Sequence, residues 1–161
     1  MATRADTTTL TAIEIKDLPA QDYLGVRFTA SVQSIGRDVQ AAFARLYSHI
    51  SVAGSRPSGP PFLIASPPSE GTLQVEVGAP CTPVPEPAAG LHTGRLEGGP
   101  SATVLYRGPY DRIGKAYEAL FAWIGTHGHH PQGDAREIYL NGPDEATTPG
   151  DYLTEVVVPI R

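Results

Sequence analysis

The chain has 161 residues and a formal net charge of −5, from 17 acidic and 12 basic residues, enough length for one domain or two small fused halves. Its basic residues (Arg27, Arg37, Arg45, Arg56, Arg95, Arg107, Arg112, Lys115) are scattered, not striped. Phosphate contacts dominate nucleic-acid affinity, so direct nucleic-acid binding is disfavoured and a cationic small molecule suits the charge better.

Met1-Ala-Thr-Arg-Ala-Asp-Thr-Thr-Thr9 is polar, with no apolar run behind it. It reads as a tail, disordered over 1–10, and not as a signal peptide. No stretch approaches the ~20 apolar residues of a membrane span. Cys81 is the single cysteine, which is compatible with a reducing cytoplasm, the expected location.

Two short β-branched and aromatic runs follow, Ala12–Leu18 and Tyr23–Thr29, each closed by Gly or Pro. An amphipathic stripe through Ile35, Val39, Ala42, Phe43 and Leu46 predicts a helix over 35–52. A loop at 54–61 leads to a strand, a turn and a last strand at 75–81. Residues 78–90, with repeated prolines, read as a semi-rigid connector.

Beyond the connector the pattern repeats. Runs at 92–96 and 102–107 precede a second helix over 112–127, in which Ile113, Tyr117, Leu120, Phe121 and Ile124 sit 78 residues after the first stripe. Val75–Cys81 matches Thr154–Ile160 at an offset of 79, with Glu76 on Glu155 and Pro80 on Pro159. The expectation is an α+β fold of two pseudo-symmetric strand-strand-helix-strand-strand halves, 11–81 and 91–160, making one domain over 11–161. Both helices would bury their stripes, Phe43 and Phe121 included, on one face of an antiparallel sheet. The other face would be left for a central ligand groove.

Ala135-Arg-Glu-Ile-Tyr-Leu140 carries the most chemistry. Side chains alternate along a strand, so Glu137 and Tyr139 share one face while Arg136, Ile138 and Leu140 share the other. With Ile138 and Leu140 against the helices, Glu137 and Tyr139 point into the groove. A mid-strand carboxylate goes against propensity, and burial would raise its pKa or call for a cationic partner. The alternatives are a solvated outer face or a bridge to Arg107 or Arg136.

Tyr106, Tyr110, Tyr117, Trp123, Tyr139 and Tyr152 all fall in the second half. Tyr117 lies on the core stripe, Trp123 just off it, either walling the pocket or capping the core. Tyr110 sits on the turn before the helix. An acidic floor with aromatic walls is how a lipophilic cation is held. Thr126-His-Gly-His-His130 is better read as a helix C-terminus than as a metal site. No nucleotide-binding or serine-hydrolase motif is present, so neither metal nor cofactor is expected.

Arg136-Glu-Ile-Tyr-Leu140, the following Asn/Gly/Pro/Asp/Glu loop, Leu153–Ile160 and the upstream Tyr106-Arg-Gly-Pro-Tyr110 resemble the second half of GyrI-like domains. The resemblance spans about residues 11–160. It implies two halves around a pocket, as in the effector domains of AraC-type and MerR-type multidrug-responsive regulators. It also implies Glu137 as the pocket acid, lined by Tyr139, Tyr152 and Tyr110, with Phe62 and Tyr23 contributing from the first half.

Three functions fit the resemblance: a binder of a bulky lipophilic or cationic molecule, for sensing or sequestration; a hydrolase of cyclopropane-bearing natural products, with Glu137 and Tyr110 catalytic; and a protein that interacts with gyrase or a regulator. The first strand starts almost at once, so the regulators' helix-turn-helix is not expected here.

Overall fold

The computed structural model describes residues 9–141 and 148–161. In chain order these form Thr9–Leu10 (β1), Glu14–Leu18 (β2), Gln21–Ser31 (β3), the helix Ile35–Val52 (α1), Arg56–Pro57 (β4), Phe62–Ala65 (β5), Thr72–Thr82 (β6), His92–Leu96 (β7), Gly99–Arg107 (β8), a 3-10 turn at Tyr110–Arg112, the helix Gly114–Thr126 (α2), Arg136–Tyr139 (β9), a 3-10 turn at Pro149–Asp151, and Leu153–Pro159 (β10). The fold is α+β, with antiparallel strands and two helices among the described residues. The loop expected after Leu140 lies mostly outside the described residues, at 142–147.

The chain divides into two compact units, Leu18–Gly99 (the N-unit) and the residues up to Asp17 together with Pro100–Arg161 (the C-unit). In the N-unit the strand order is β5-β6-β3-β7, with β4 also on β6. Leu24, Val26, Val77 and Ala79 are buried and pair across strands on one face. The helix α1 covers it with Ala42, Leu46 and Ile50, spaced four residues apart on one stripe. In the C-unit the order is β1-β8-β10-β9, with β2 continuing along β8. There Ala102, Val104, Tyr106, Val156, Val158 and Ile160 pack against Ala116, Leu120 and Ile124 of α2. The helix stops at Gly128, whose φ of +75° is easy only for glycine, and His129 N–H donates back to the Ile124 carbonyl at 3.1 Å.

Several sequence expectations are corrected. Thr9 and Leu10 are a strand, paired with Arg107 and Tyr106, and not part of a tail; residues 1–8 lie outside the described residues. The loops at 54–61 and 78–90 are partly strand, because Arg56 and Pro57 pair with Thr82 and Cys81. Cys81 is therefore a buried strand residue.

The sequence halves 11–81 and 91–160 are also not the compact units. Each half lends its first strand, since β2 pairs with β8 and β7 pairs with β3. The connector at Pro19 runs against Gly98, where a Cβ would meet the Ala20 nitrogen and the Leu18 carbonyl at 2.7 Å. Only glycine lets the two connectors pass at that distance.

Finally, Phe121 is 42% exposed and Phe43 only half-buried. The true stripes run through Ala42, Leu46, Ile50 and Ala116, Leu120, Ile124, and each phenylalanine sits one residue, about 100° of helix, off its stripe.

Candidate functional site

In the C-unit, Glu137 lies in β9 directly across from Val156 of β10. Directly opposed residues share a face, and Val156 belongs to the core under α2. Glu137 and Tyr139 therefore face the helix side, which corrects the expected groove on the opposite face. The apolar Ile138 is the residue that pairs with Glu155 away from the helix. The stripe of α2 runs over β8 and β10, so the β9 end of this face is left to the acid and to the edge of the helix.

That edge carries Tyr117. Its hydroxyl donates to Glu137 Oε2 at 2.7 Å, and the Tyr139 hydroxyl donates to Oε1 at 2.9 Å. Each carboxylate oxygen thus accepts a phenol O–H. Ion pairs among the described residues involve Glu76, Asp22 and Glu155, and none reaches Glu137. Arg136, its neighbour in sequence, is buried in strand alternation with it, paired in register with Val157, and is no partner. Burial pushes the Glu137 carboxyl above its ordinary value, and the hydroxyls of Tyr117 and Tyr139 pull it only part-way back. Burial likewise holds the phenols protonated: Tyr110 is pushed up to about 12, with Tyr152 and Glu137 adding to the effect. Tyr117 and Tyr139 are also raised, again by burial first.

Aromatic faces complete the cluster. Tyr110 meets Tyr139 edge-on at 5.5 Å between centroids and stacks on Tyr152 at 4.9 Å. The sequence thus named five residues that the fold gathers: Glu137, Tyr139, Tyr110, Tyr152 and Tyr117. Trp123 goes elsewhere, packing on the C-unit core and stacking on His127 at 4.1 Å and His129 at 6.0 Å.

Tyr23 and Phe62 belong to a second cluster, in the N-unit, around an acid the sequence reading passed over. Glu76 Oε2 accepts the Tyr23 hydroxyl at 2.9 Å, lies 2.6 Å from His92 Nε2, and has Arg27 Nη2 at 3.5 Å. Tyr23 meets Phe62 edge-on at 4.8 Å and is pushed up to about 12 by burial, then by Glu76. Both rings lie close over glycines. A Cβ at Gly78 would meet Phe62 at 2.3 Å, and one at Gly94 would meet the Tyr23 ring at 2.5 Å. Mid-strand glycines were the available signal, since they mark close approach of another group to a sheet.

A family model for the GyrI-like small molecule binding domain matches residues 11–161. The chain belongs to this family. Among solved structures, this GyrI-like chain is similar to EcmrR in a DNA complex, at 18% identity and a TM-score of 0.84, covering 93% of this chain and 57% of that one. The separately solved EcmrR C-terminal domain matches at 18% identity and a TM-score of 0.76, covering 93% and 97%. A hydrolase from Listeria innocua matches at 15% identity and 0.67, covering 92% and 91%. SAV2435 bound to tetraphenylphosphonium matches at 14% identity and 0.59, covering 94% of each chain. At these identities the likeness is one of fold. No curated protein sequence matches the chain.

Proposed function

We propose that this GyrI-like domain binds a bulky lipophilic cation at Glu137, for sensing or sequestration. One observation carries the reading: a partly buried carboxylate is held by two neutral phenols, with no ion pair among the described residues. A buried charge without a partner is costly, and a cation entering beside it relieves that cost. Tyr110, Tyr139 and Tyr152 supply ring faces of the kind that attract a cation. The tetraphenylphosphonium on SAV2435 is a ligand of this description in a protein of the same fold.

The EcmrR likeness takes in 97% of its separately solved C-terminal domain, and the scattered basic residues of this chain offer no patch for DNA. No helix among the described residues is long and apolar enough to cross a membrane, and the free thiol of Cys81 suits a reducing cytoplasm. A hydrolytic reading would use Glu137 as base with Tyr110 or Tyr139 as donor, but the Tyr139 hydroxyl is spent on Glu137 and both carboxylate oxygens already accept a phenol O–H.

Calorimetric titration with tetraphenylphosphonium and with tetraphenylborate, alike in shape and opposite in charge, tests the proposal. The cation should bind at least about tenfold tighter, and Glu137→Gln should weaken it by about 1–3 kcal/mol while leaving the anion little changed. Equal binding of the two ions, or an unaltered variant, would sink the reading.

A further inference from the structure

The stacked pair of Tyr110 and Tyr152 stands on two segments that are not regular strand or helix, so something must hold each ring in place. Tyr106 of β8 is wholly buried among Val104, Ala116 and Leu120. Its hydroxyl leaves that core to donate to the Pro109 carbonyl at 2.6 Å, the peptide on which Tyr110 begins. The same carbonyl accepts Arg112 N–H at 3.3 Å, closing the 3-10 turn that carries Tyr110.

On the other side, the Asn141 carboxamide brackets Tyr152. Its Oδ1 accepts Leu153 N–H at 2.7 Å and its Nδ2 donates to the Asp151 carbonyl at 3.2 Å, one residue on either side. Between the two segments, Gly108 N–H donates to the Tyr152 carbonyl at 2.9 Å. Gly108 has a φ of +152°, in the region that favours glycine.

We propose that Tyr106 and Asn141 are positioning residues: neither side chain belongs to the aromatic wall, and together they fix the Tyr110–Tyr152 stack beside Glu137. Tyr106 anchors Tyr110 to the C-unit core, Asn141 anchors Tyr152, and the Gly108 bond ties the two backbones. A wall fixed in advance loses less side-chain freedom when a large aromatic ligand arrives. A small cation covers less of the wall and gains less from it. The two residues therefore set selectivity for large aromatic cations over small ones, a role that rests on the binding reading given above.

Tyr106→Phe removes only the hydroxyl and keeps the ring in the core; Asn141→Ala lies outside the core. In ligand-free protein with labelled tyrosines, both variants should weaken the nuclear Overhauser contacts between the Tyr110 and Tyr152 rings and speed their ring flips. With tetraphenylphosphonium and tetramethylammonium as probes, the ratio of their affinities should fall about threefold to tenfold in each variant, with tetramethylammonium itself changing less than twofold. A general loss of stability would weaken both probes alike.

Unchanged ring contacts in both variants would overturn the positioning role, as would an unchanged affinity ratio. If the wild type binds neither probe, the binding reading falls and the selectivity role with it, while the ring contacts alone still decide whether Tyr106 and Asn141 hold the stack.

Discussion

Glu137 in the C-unit and Glu76 in the N-unit are both mid-strand carboxylates that accept a tyrosine hydroxyl, and each has an aromatic ring pair beside it. They differ in their remaining partners. Glu76 has the Arg27 guanidinium at 3.5 Å, which supplies positive charge from within the unit, and His92 Nε2 at 2.6 Å. Glu137 has a second phenol in their place. The faces differ too: Glu137 sits on the helix side of its strands, whereas Glu76 alternates with Val75 and Val77, which pack toward α1. An acid supplied with its own guanidinium is part of the structure. On the binding reading proposed above, an acid given only neutral donors is left for a cation from outside to pair with.

The repeat holds best in the cores, and there the largest effects are expected. Leu46 of α1 and Ile124 of α2 stand 78 residues apart and are both buried. Replacing either with Ala should cost about 2–5 kcal/mol in denaturant unfolding. Phe121→Ala, on an exposed position, should cost under about 1 kcal/mol. Equal losses at Phe121 and Ile124 would put the stripe in the wrong place.

Cation binding at Glu137 should also depend on pH. A bound cation favours the ionised carboxylate, so it lowers the carboxyl that burial has raised. Binding then releases protons between the two values. Affinity for tetraphenylphosphonium should rise with pH, by at most about tenfold per unit, and level off above the raised value of the free protein. Flat affinity across that range, or affinity falling as pH rises, would mean the cation does not meet this carboxylate.

Much of this was legible in the sequence, for physical reasons. A 3.6-residue stripe repeated at a fixed offset locates both helices, because burial of one face dictates the spacing; α1 runs over 35–52 as its stripe predicts. Glu137, Tyr139, Tyr110 and Tyr152 stood out because polar and aromatic residues clustered where strand propensity wanted otherwise. The side of the sheet that Glu137 faces was not legible. A four-residue strand with Arg136 and Ile138 on one face and Glu137 and Tyr139 on the other gives no clear apolar side. The register with β10 decides it, and that is a long-range fact. The exchange of β2 and β7 was hidden for a similar reason, since two-residue connectors look like hairpins until Gly98 is seen against Pro19. Glu76 was overlooked because its partners Tyr23, Arg27 and His92 come from two other strands.

Stability should change in opposite directions when each acid is made neutral. Glu76→Gln takes the charge from three donors and should lower stability by about 1 kcal/mol, since hydrogen bonds to a charged group contribute on that order. At Glu137 the raised carboxyl binds its proton more tightly in the folded chain than in the unfolded one. Stability is therefore complete below 4.5 and is lost as pH rises through the raised value. Glu137→Gln has no proton to lose, so it should be the more stable protein at pH 7 and indistinguishable from wild type at pH 4. Thermal melts of both variants at the two pH values test this, and loss of stability in both at pH 7 would erase the distinction between the acids.

The smallest effect is expected at Tyr110, and it separates holding a cation from cutting a bond. Its hydroxyl makes no hydrogen bond among the described residues, while its ring stacks on Tyr152 and meets Tyr139 edge-on. A site that works through ring faces keeps them in Tyr110→Phe, so tetraphenylphosphonium affinity should stay within about twofold, roughly 0.4 kcal/mol. A site that works through proton donation loses its donor, and general acid catalysis contributes on the order of a hundredfold or more. Incubation with a strained cyclopropane-bearing compound, read by mass spectrometry for a water adduct, supplies the second arm. With wild type the expected result is no adduct. Adduct formation by wild type that disappears in Tyr110→Phe would assign the hydroxyl to chemistry and make Glu137 a base, because a counter-charge for a cation has no use for a proton donor.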